Sequence, residues 1–254
     1  MVKVWDITIP ELTGTQTRRA YLYLPESYGY DREKRYPVLY MFDGHNVFFD
    51  AHATYGKCWG MKEFMDYTNT QMIIAAVECN HSPDNGRLEE YSPFDFSDPK
   101  FGEIKSRGKI TMEWIVGTFK REIDENYRTL PGRETTFIAG SSMGGMMSLY
   151  AVLDFNQYFS RAAALSPSIW LNPTKLTRMI RSADVAPDTM VYMDYGSREI
   201  HHHAIMEKQF RKVTTQLLEK GIWLESRIVP MGDHCEASWE CQIPFFMNML
   251  TYQY

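Results

Sequence analysis

The chain has 254 residues, 44% of them hydrophobic and 23% charged, which excludes a disordered chain, a coiled coil and a collagen-like fibre. The net charge is −5, from 27 Lys plus Arg against 32 Asp plus Glu, so no positive field draws the chain to nucleic acid. No apolar run is long enough to span a bilayer, and the length suffices for a core without disulfide or metal staples.

Lys3 to Ile9 and Arg19 to Leu24 read as two strands, joined by the turn-prone Leu12-Thr13-Gly14-Thr15. Tyr36 to Phe42 is a continuous apolar run, as a strand buried on both faces requires. Met61 to Tyr67 follows as a short helix, and Gln71 to Val77 as a second buried strand. Residues 80–108 are polar and rich in Pro, Gly, Asp and Ser; they read as one long loop, a length usually tied to function. Met112, Ile115, Phe119 and Ile123 recur at helical spacing, and Pro131-Gly132 closes that segment. Thr135 to Ala139 is strand-like, and Met146 to Leu153 is apolar on all sides, hence a buried helix. Arg161 to Leu165 and Met190 to Tyr195 are strands, separated by a helix at Thr174 to Arg181. Met206, Phe210, Val213 and Leu217 mark an amphipathic helix that Gly221 caps. Trp223 to Val229 is the last strand, and Phe245 to Leu250 a closing helix.

This order predicts an α/β fold in three layers, with a mostly parallel central sheet, helices on both faces and an antiparallel N-terminal edge. No repeat or linker divides the chain, so one domain over 1–254 is expected, with 80–108 as a lid or substrate-binding insertion. Met1 to Pro10 carries one Lys and no long apolar stretch, so no secretory signal is read there. Cys58, Cys79, Cys235 and Cys241 show no CxxC spacing; free thiols in the cytoplasm are the expectation.

The strongest chemical signal is Gly140-Ser141-Ser142-Met143-Gly144, which fits G-x-S-x-G with Ser142 at its centre. A nucleophile on a sharp strand-to-helix turn leaves no room for neighbouring side chains, and glycines supply the space. The motif sits between the strand at Thr135 to Ala139 and the helix at Met146 to Leu153, where such a turn belongs. The strand order and this motif together match an α/β-hydrolase, in which the acid and then the histidine follow late strands. His234, in Pro230-Met231-Gly232-Asp233-His234, follows the last strand and is the candidate base. For the acid, Glu199 in the loop Gly196-Ser197-Arg198-Glu199 is favoured, because a loop position reaches the sheet edge. Asp194, inside the preceding strand pattern, is the alternative, and Asp233 a more distant one. Two backbone N–H groups should hold a developing oxyanion. Met143 supplies one; His45, after Gly44, supplies the other, with Asn46 as alternative.

With these residues assembled, the chain resembles the putative esterase family of α/β-hydrolases. That group includes esterase D-like, feruloyl and enterochelin-type esterases and mycolyltransferases. The resemblance runs from Thr17 to about Leu250. It rests on Tyr36-Pro37-Val38-Leu39-Tyr40-Met41-Phe42-Asp43-Gly44-His45-Asn46, on Gly140 to Gly145, on Leu165-Ser166-Pro167-Ser168 and on Gly232-Asp233-His234. The resemblance implies hydrolysis or transfer of acyl groups, a small-molecule ester as partner, and often a homodimer. It also implies an acid at the end of a Gly-x-x-acid loop; Glu199 stands where Asp is more usual. Rival readings are an acyltransferase on the same site and a non-catalytic binding protein.

Trp59, Trp170, Tyr91 and Phe94 fall in segments near the expected site and could wall a pocket for an aryl or sugar-linked acyl group. Asn46 and Arg87 are candidate polar contacts to substrate. His201-His202-His203 invites a metal reading, but adjacent residues cannot all face one ion on a regular backbone. The serine chemistry itself calls for neither metal nor cofactor.

Overall fold

Runs of apolar residues joined by helical crossovers can bury both faces only as a parallel sheet. The computed structural model describes residues 1–202 and 204–252. The strands are β1 (Val2–Thr8), β2 (Thr17–Tyr23), β3 (Val38–Met41), β4 (Ile73–Val77), β5 (Phe96–Asp98), β6 (Gly102–Ile104), β7 (Thr136–Ser141), β8 (Arg161–Leu165), β9 (Met190–Gly196) and β10 (Trp223–Val229). Among the described residues, eight of them form one sheet in the order β1-β2-β4-β3-β7-β8-β9-β10. β1 pairs antiparallel with β2, and β2 antiparallel with β4; from β4 onward every pairing is parallel. This is the mostly parallel sheet with an antiparallel N-terminal edge that the strand pattern predicts.

The helices are α1 (Pro10–Thr13), α2 (Met61–Thr68), α3 (Gly86–Glu90), α4 (Gly108–Trp114), α5 (Lys120–Asn126), α6 (Met143–Asp154), α7 (Pro173–Ser182), α8 (Ser197–His202), α9 (Ala204–Glu219), α10 (Glu236–Glu240) and α11 (Ile243–Thr251). Alternate strand residues divide between two cores. Val38 and Tyr40 of β3 join the core that holds Met112 and Ile123 of α4 and α5 and Leu217 of α9. Leu39 and Met41 face the other, with Met65 of α2 and Phe246 of α11. α6 is buried from Met143 to Leu153, which explains its apolar character on every side.

Two expectations are corrected. Residues 80–108 are not one structureless loop: they hold α3 and the β5–β6 hairpin, paired Phe96↔Ile104. Part of their charge turns inward, although Asp95 and Lys105 stay exposed. Glu90 of α3 accepts from Arg18 of β2 at 2.5 Å, and both side chains are 3% exposed. The segment after Gly196 is not a loop either, because α8 begins at once. A parallel neighbour needs a crossover, and this one starts directly at the end of β9. The helix read through Met112 to Ile123 is real but not uniform: Ile115–Phe119 takes a π-helical turn, with the rings of Trp114 and Phe119 stacked at 5.4 Å. No helix among the described residues is long and apolar enough to cross a membrane.

The buried Arg18–Glu90 pair ties the 80–108 segment to the sheet. Arg18→Met should strand the Glu90 charge and cost about 3–5 kcal/mol in urea denaturation. A loss below about 1 kcal/mol would show that the pair does not anchor the segment.

Candidate active site

The parallel strands carry their C-terminal ends to one edge of the sheet, where open α/β folds place their sites. Ser142 follows β7, Ser166 follows β8, Glu199 follows β9 and His234 follows β10. Four strands adjacent in the sheet thus deliver four polar side chains to one place. Ser142, Ser166, Glu199 and His234 line a common cavity of about 760 Å³, within the usual range for small-molecule sites.

Ser142 sits at φ 58°, ψ −119°, a conformation L residues seldom adopt. Such a backbone costs roughly 1–3 kcal/mol and persists only where its surroundings hold it. Here its N–H donates to the Leu165 carbonyl at 2.9 Å, and its carbonyl accepts from Ser168 at 3.0 Å. The flanking glycines are steric necessities: a Cβ on Gly140 would lie 2.7 Å from the Gly144 carbonyl carbon.

Glu199 and His234 are brought together by backbone contact. A Cβ on Gly196 would lie 2.2 Å from the Gly232 carbonyl oxygen, and Arg198 N–H donates to that same oxygen at 3.1 Å. His234 Nδ1 then meets Glu199 Oε2 at 2.6 Å. A carboxylate can only accept, so Nδ1 carries a proton, and in the neutral imidazole that tautomer leaves the Nε2 lone pair free. The other oxygen of Glu199 accepts from Ser166 Oγ at 2.7 Å and from Gly196 N–H at 2.9 Å. Ser166 in turn accepts from Trp239 Nε1 at 3.1 Å. The Trp239 ring, on α10, lies edge-on to His234 at 5.1 Å. Ser166 stands in the Leu165-Ser166-Pro167-Ser168 stretch that carries part of the resemblance, but nothing in the sequence assigns it a role, and Trp239 has no sequence signal.

Asp194 takes a different place from its rival Glu199. It is buried in β9, accepting from the Ser166 amide at 3.1 Å and from Tyr192 Oη at 2.8 Å, and it does not line the cavity. Burial pushes its carboxyl up to about 7. Asp233 also lines the cavity, but its carboxylate accepts from Arg198 at 2.8 Å rather than from His234.

Several residues read as pocket walls are not. Trp170 lines the cavity and is 42% exposed. Trp59 is buried behind the site, packed on Trp239 at 5.9 Å. Tyr91 is also buried, its hydroxyl accepting from the Asp43 amide at 3.2 Å, and Phe94 belongs to the same core. Arg87 grips Asp43 with two bonds of 2.7 Å and is not directed at the cavity. Burial is the largest single influence and would raise the Asp43 carboxyl, but the Arg87 charge and hydrogen bonds, with His45 and Cys79, together hold it below the ordinary range. Asn46 donates from Nδ2 to Glu236 and accepts at Oδ1 from the Thr54 amide, so its side chain ties the start of α10 to the turn that holds Thr54. Its own amide donates to the Asp43 carbonyl at 2.8 Å, so that N–H is already spent. His45 lies in the turn Gly44–Asn46 after β3, and Met143 opens α6 after the neighbouring β7. The two segments touch: a Cβ on Gly144 would meet the Phe42 Cβ at 3.0 Å. Of the histidine run, His203 and the side chains of His201 and His202 lie outside the described residues.

The putative esterase family matches residues 13–245 of the chain. The uncharacterized protein YbbA of Bacillus subtilis (strain 168) is 28% identical over 212 residues, 80% of this chain and 79% of that one. Among solved structures, siderophore hydrolase EstA from Aspergillus nidulans is similar at 20% identity and TM-score 0.72, covering 98% of this chain and 95% of EstA. A ferulic acid esterase is similar at 18% identity and TM-score 0.71, covering 99% of this chain and 98% of its own. At these identities the structural likeness establishes a shared fold.

The Asp194 carboxyl makes a pH prediction. Its folded value, about 7, lies above that of an unfolded aspartate, so ionising it opposes folding. Stability is therefore highest below the unfolded value and falls as pH rises towards 7. Relative to Asp194→Asn, the wild type should lose about 3 kcal/mol between pH 5 and pH 8, measured by urea denaturation. An unchanged difference between the two proteins would contradict the shift.

Proposed function

The chain belongs to the putative esterase family, and on that premise we propose that it is a serine hydrolase of carboxylic esters working through an acyl-enzyme. The observation that carries the reading is the 2.6 Å contact between His234 Nδ1 and Glu199 Oε2, in the cavity that Ser142 also lines. In the proposed cycle, Ser142 Oγ attacks the ester carbonyl carbon as His234 Nε2 takes its proton. Glu199 holds the imidazole in the required tautomer and stabilises the imidazolium. The first N–H groups of a helix lack intrahelical acceptors, which leaves the Met143 amide available to an oxyanion. The His45 amide is its proposed partner, a choice favoured by the engagement of the Asn46 amide within its own turn. The tetrahedral intermediate collapses, the C–O bond to the alcohol breaks, and His234 returns the proton to the leaving oxygen. Water, deprotonated by the same imidazole, then attacks the acyl carbon and frees both the acid and Ser142.

The proposed substrate is a small acyl, aryl or sugar-linked ester. Trp170, Ile205 and Met206 offer apolar wall to such a group, while Ser168 and Asp98 are polar. Asp98 belongs to β5, so the 80–108 segment reaches the cavity. That supports its role as a substrate-binding insertion within one domain. Arg87, Trp59 and the Asn46 side chain are proposed as supports of the site rather than substrate contacts.

Hydrolysis of p-nitrophenyl acetate and butyrate tests the roles. Ser142→Ala and His234→Ala should fall to background, and Glu199→Gln should lose about 10³- to 10⁴-fold in kcat. Full activity in Ser142→Ala would remove the nucleophile from the account. A loss under about tenfold in Glu199→Gln would remove the acid.

A further inference from the structure

β3 and β4 are neighbours in the sheet and run parallel, so the segments leaving them emerge side by side. The first carries His45; the second carries Cys79 and His81. The nearest ligand atoms of His45, Cys79 and His81 all lie within 4.8 Å of one another, a meeting that chain spacing alone does not reveal. No side chain of the three lines the serine cavity; His45 is assigned to that chemistry only through its backbone amide.

His45 is 4% exposed, with Nε2 3.0 Å from Thr54 Oγ1. Its Nδ1 is buried without a hydrogen-bond partner. A buried ring nitrogen left unpaired is costly, and native structures seldom leave one without a reason. If Nε2–H donates to Thr54, Nδ1 presents a bare lone pair. Burial also lowers the basicity of this imidazole, which keeps it the neutral form that binds metals. Cys79 is 2% exposed, and the His81 ring stands at 70° to that of His45 with centroids 4.6 Å apart.

We propose that His45, Cys79 and His81 form a binding site for a borderline-soft divalent cation of the Zn²⁺ class, with His45 Nδ1, Cys79 Sγ and one His81 ring nitrogen as ligands. Imidazole and thiolate are the donors such an ion prefers over oxygen ligands. In a tetrahedral zinc site with ordinary bond lengths, neighbouring ligand atoms lie roughly 3.3–3.8 Å apart. A shift of about an ångström closes the present set to that size, and exposed His81 is the member free to move. Water completes the fourth position. On binding, the Cys79 thiol gives its proton to solvent and the sulfur takes the ion in its place. The thiolate adds one negative charge next to Asp43, whose own charge Arg87 already balances. The bound ion would fasten the turn after β3 to the segment after β4. The site stands on its own side chains and does not depend on the serine chemistry.

The test uses the full chain without a histidine tag, stripped with a chelator and dialysed against Zn²⁺. One zinc per chain is expected by elemental analysis, and Co²⁺ in its place should give a thiolate-to-cobalt charge-transfer band. His81→Ala, at the surface, and Cys79→Ser should each weaken Zn²⁺ binding at least about a hundredfold in competition with a chromophoric chelator, and Cys79→Ser should remove the band. Replacing His201, His202 and His203 together with Ala should leave the stoichiometry unchanged. Absence of stoichiometric zinc, or zinc retained at full affinity in both His81→Ala and Cys79→Ser, would overturn the site, whatever the esterase assays show.

Discussion

The end of β9 and the loop that follows β10 touch through their backbones, at Gly196 and Gly232. Any side chain on Gly196 would collide with the Gly232 carbonyl. That close approach is the constraint on which the site depends. It brings the Glu199 carboxylate, in the first turn of α8, against the ring of His234. The carboxylate is then held from the far side by Ser166 and the Gly196 amide. Every oxygen of Glu199 therefore has a fixed partner, and the imidazole inherits that order. Preorganisation of this kind lets a histidine act without first reorienting.

A second constraint acts at Ser142. The turn between β7 and α6 stores backbone strain, and its hydrogen bonds to Leu165 and Ser168 on the neighbouring segment hold it there. The strain is affordable because the sheet on both sides is buried and α6 is packed on every face. The same buried edge explains Asp194. It sits one layer below the site, where its charge is unfavourable, and braces Ser166 through the backbone.

What was legible in the sequence was what local pattern encodes. Strand and helix alternation predicts the sheet, because period and run length report which faces are buried. Gly140-Ser141-Ser142-Met143-Gly144 is readable because the steric demand falls on adjacent residues. Its position just beyond a strand singles out Glu199, which does meet His234, although the segment carrying it is a helix and not a loop. Side-chain direction was not legible. Trp59, Tyr91 and Phe94 look like pocket walls in a linear reading, yet each turns into the core. Arg87 looks free for substrate, yet its partner Asp43 lies far along the chain. Ser166 and Trp239 act only through contacts made after folding. His45, Cys79 and His81 share no motif spacing; the pairing of β3 with β4 alone makes them neighbours.

The central claim is that Ser142 is a nucleophile activated by His234 and oriented by Glu199. Reaction with a fluorophosphonate, followed by mass mapping of the modified peptide, tests it most directly, because no substrate has to be guessed. The account requires one adduct per chain, on Ser142, with labelling slowed strongly in His234→Ala. Labelling on another residue, or none on a folded wild-type chain, would contradict it.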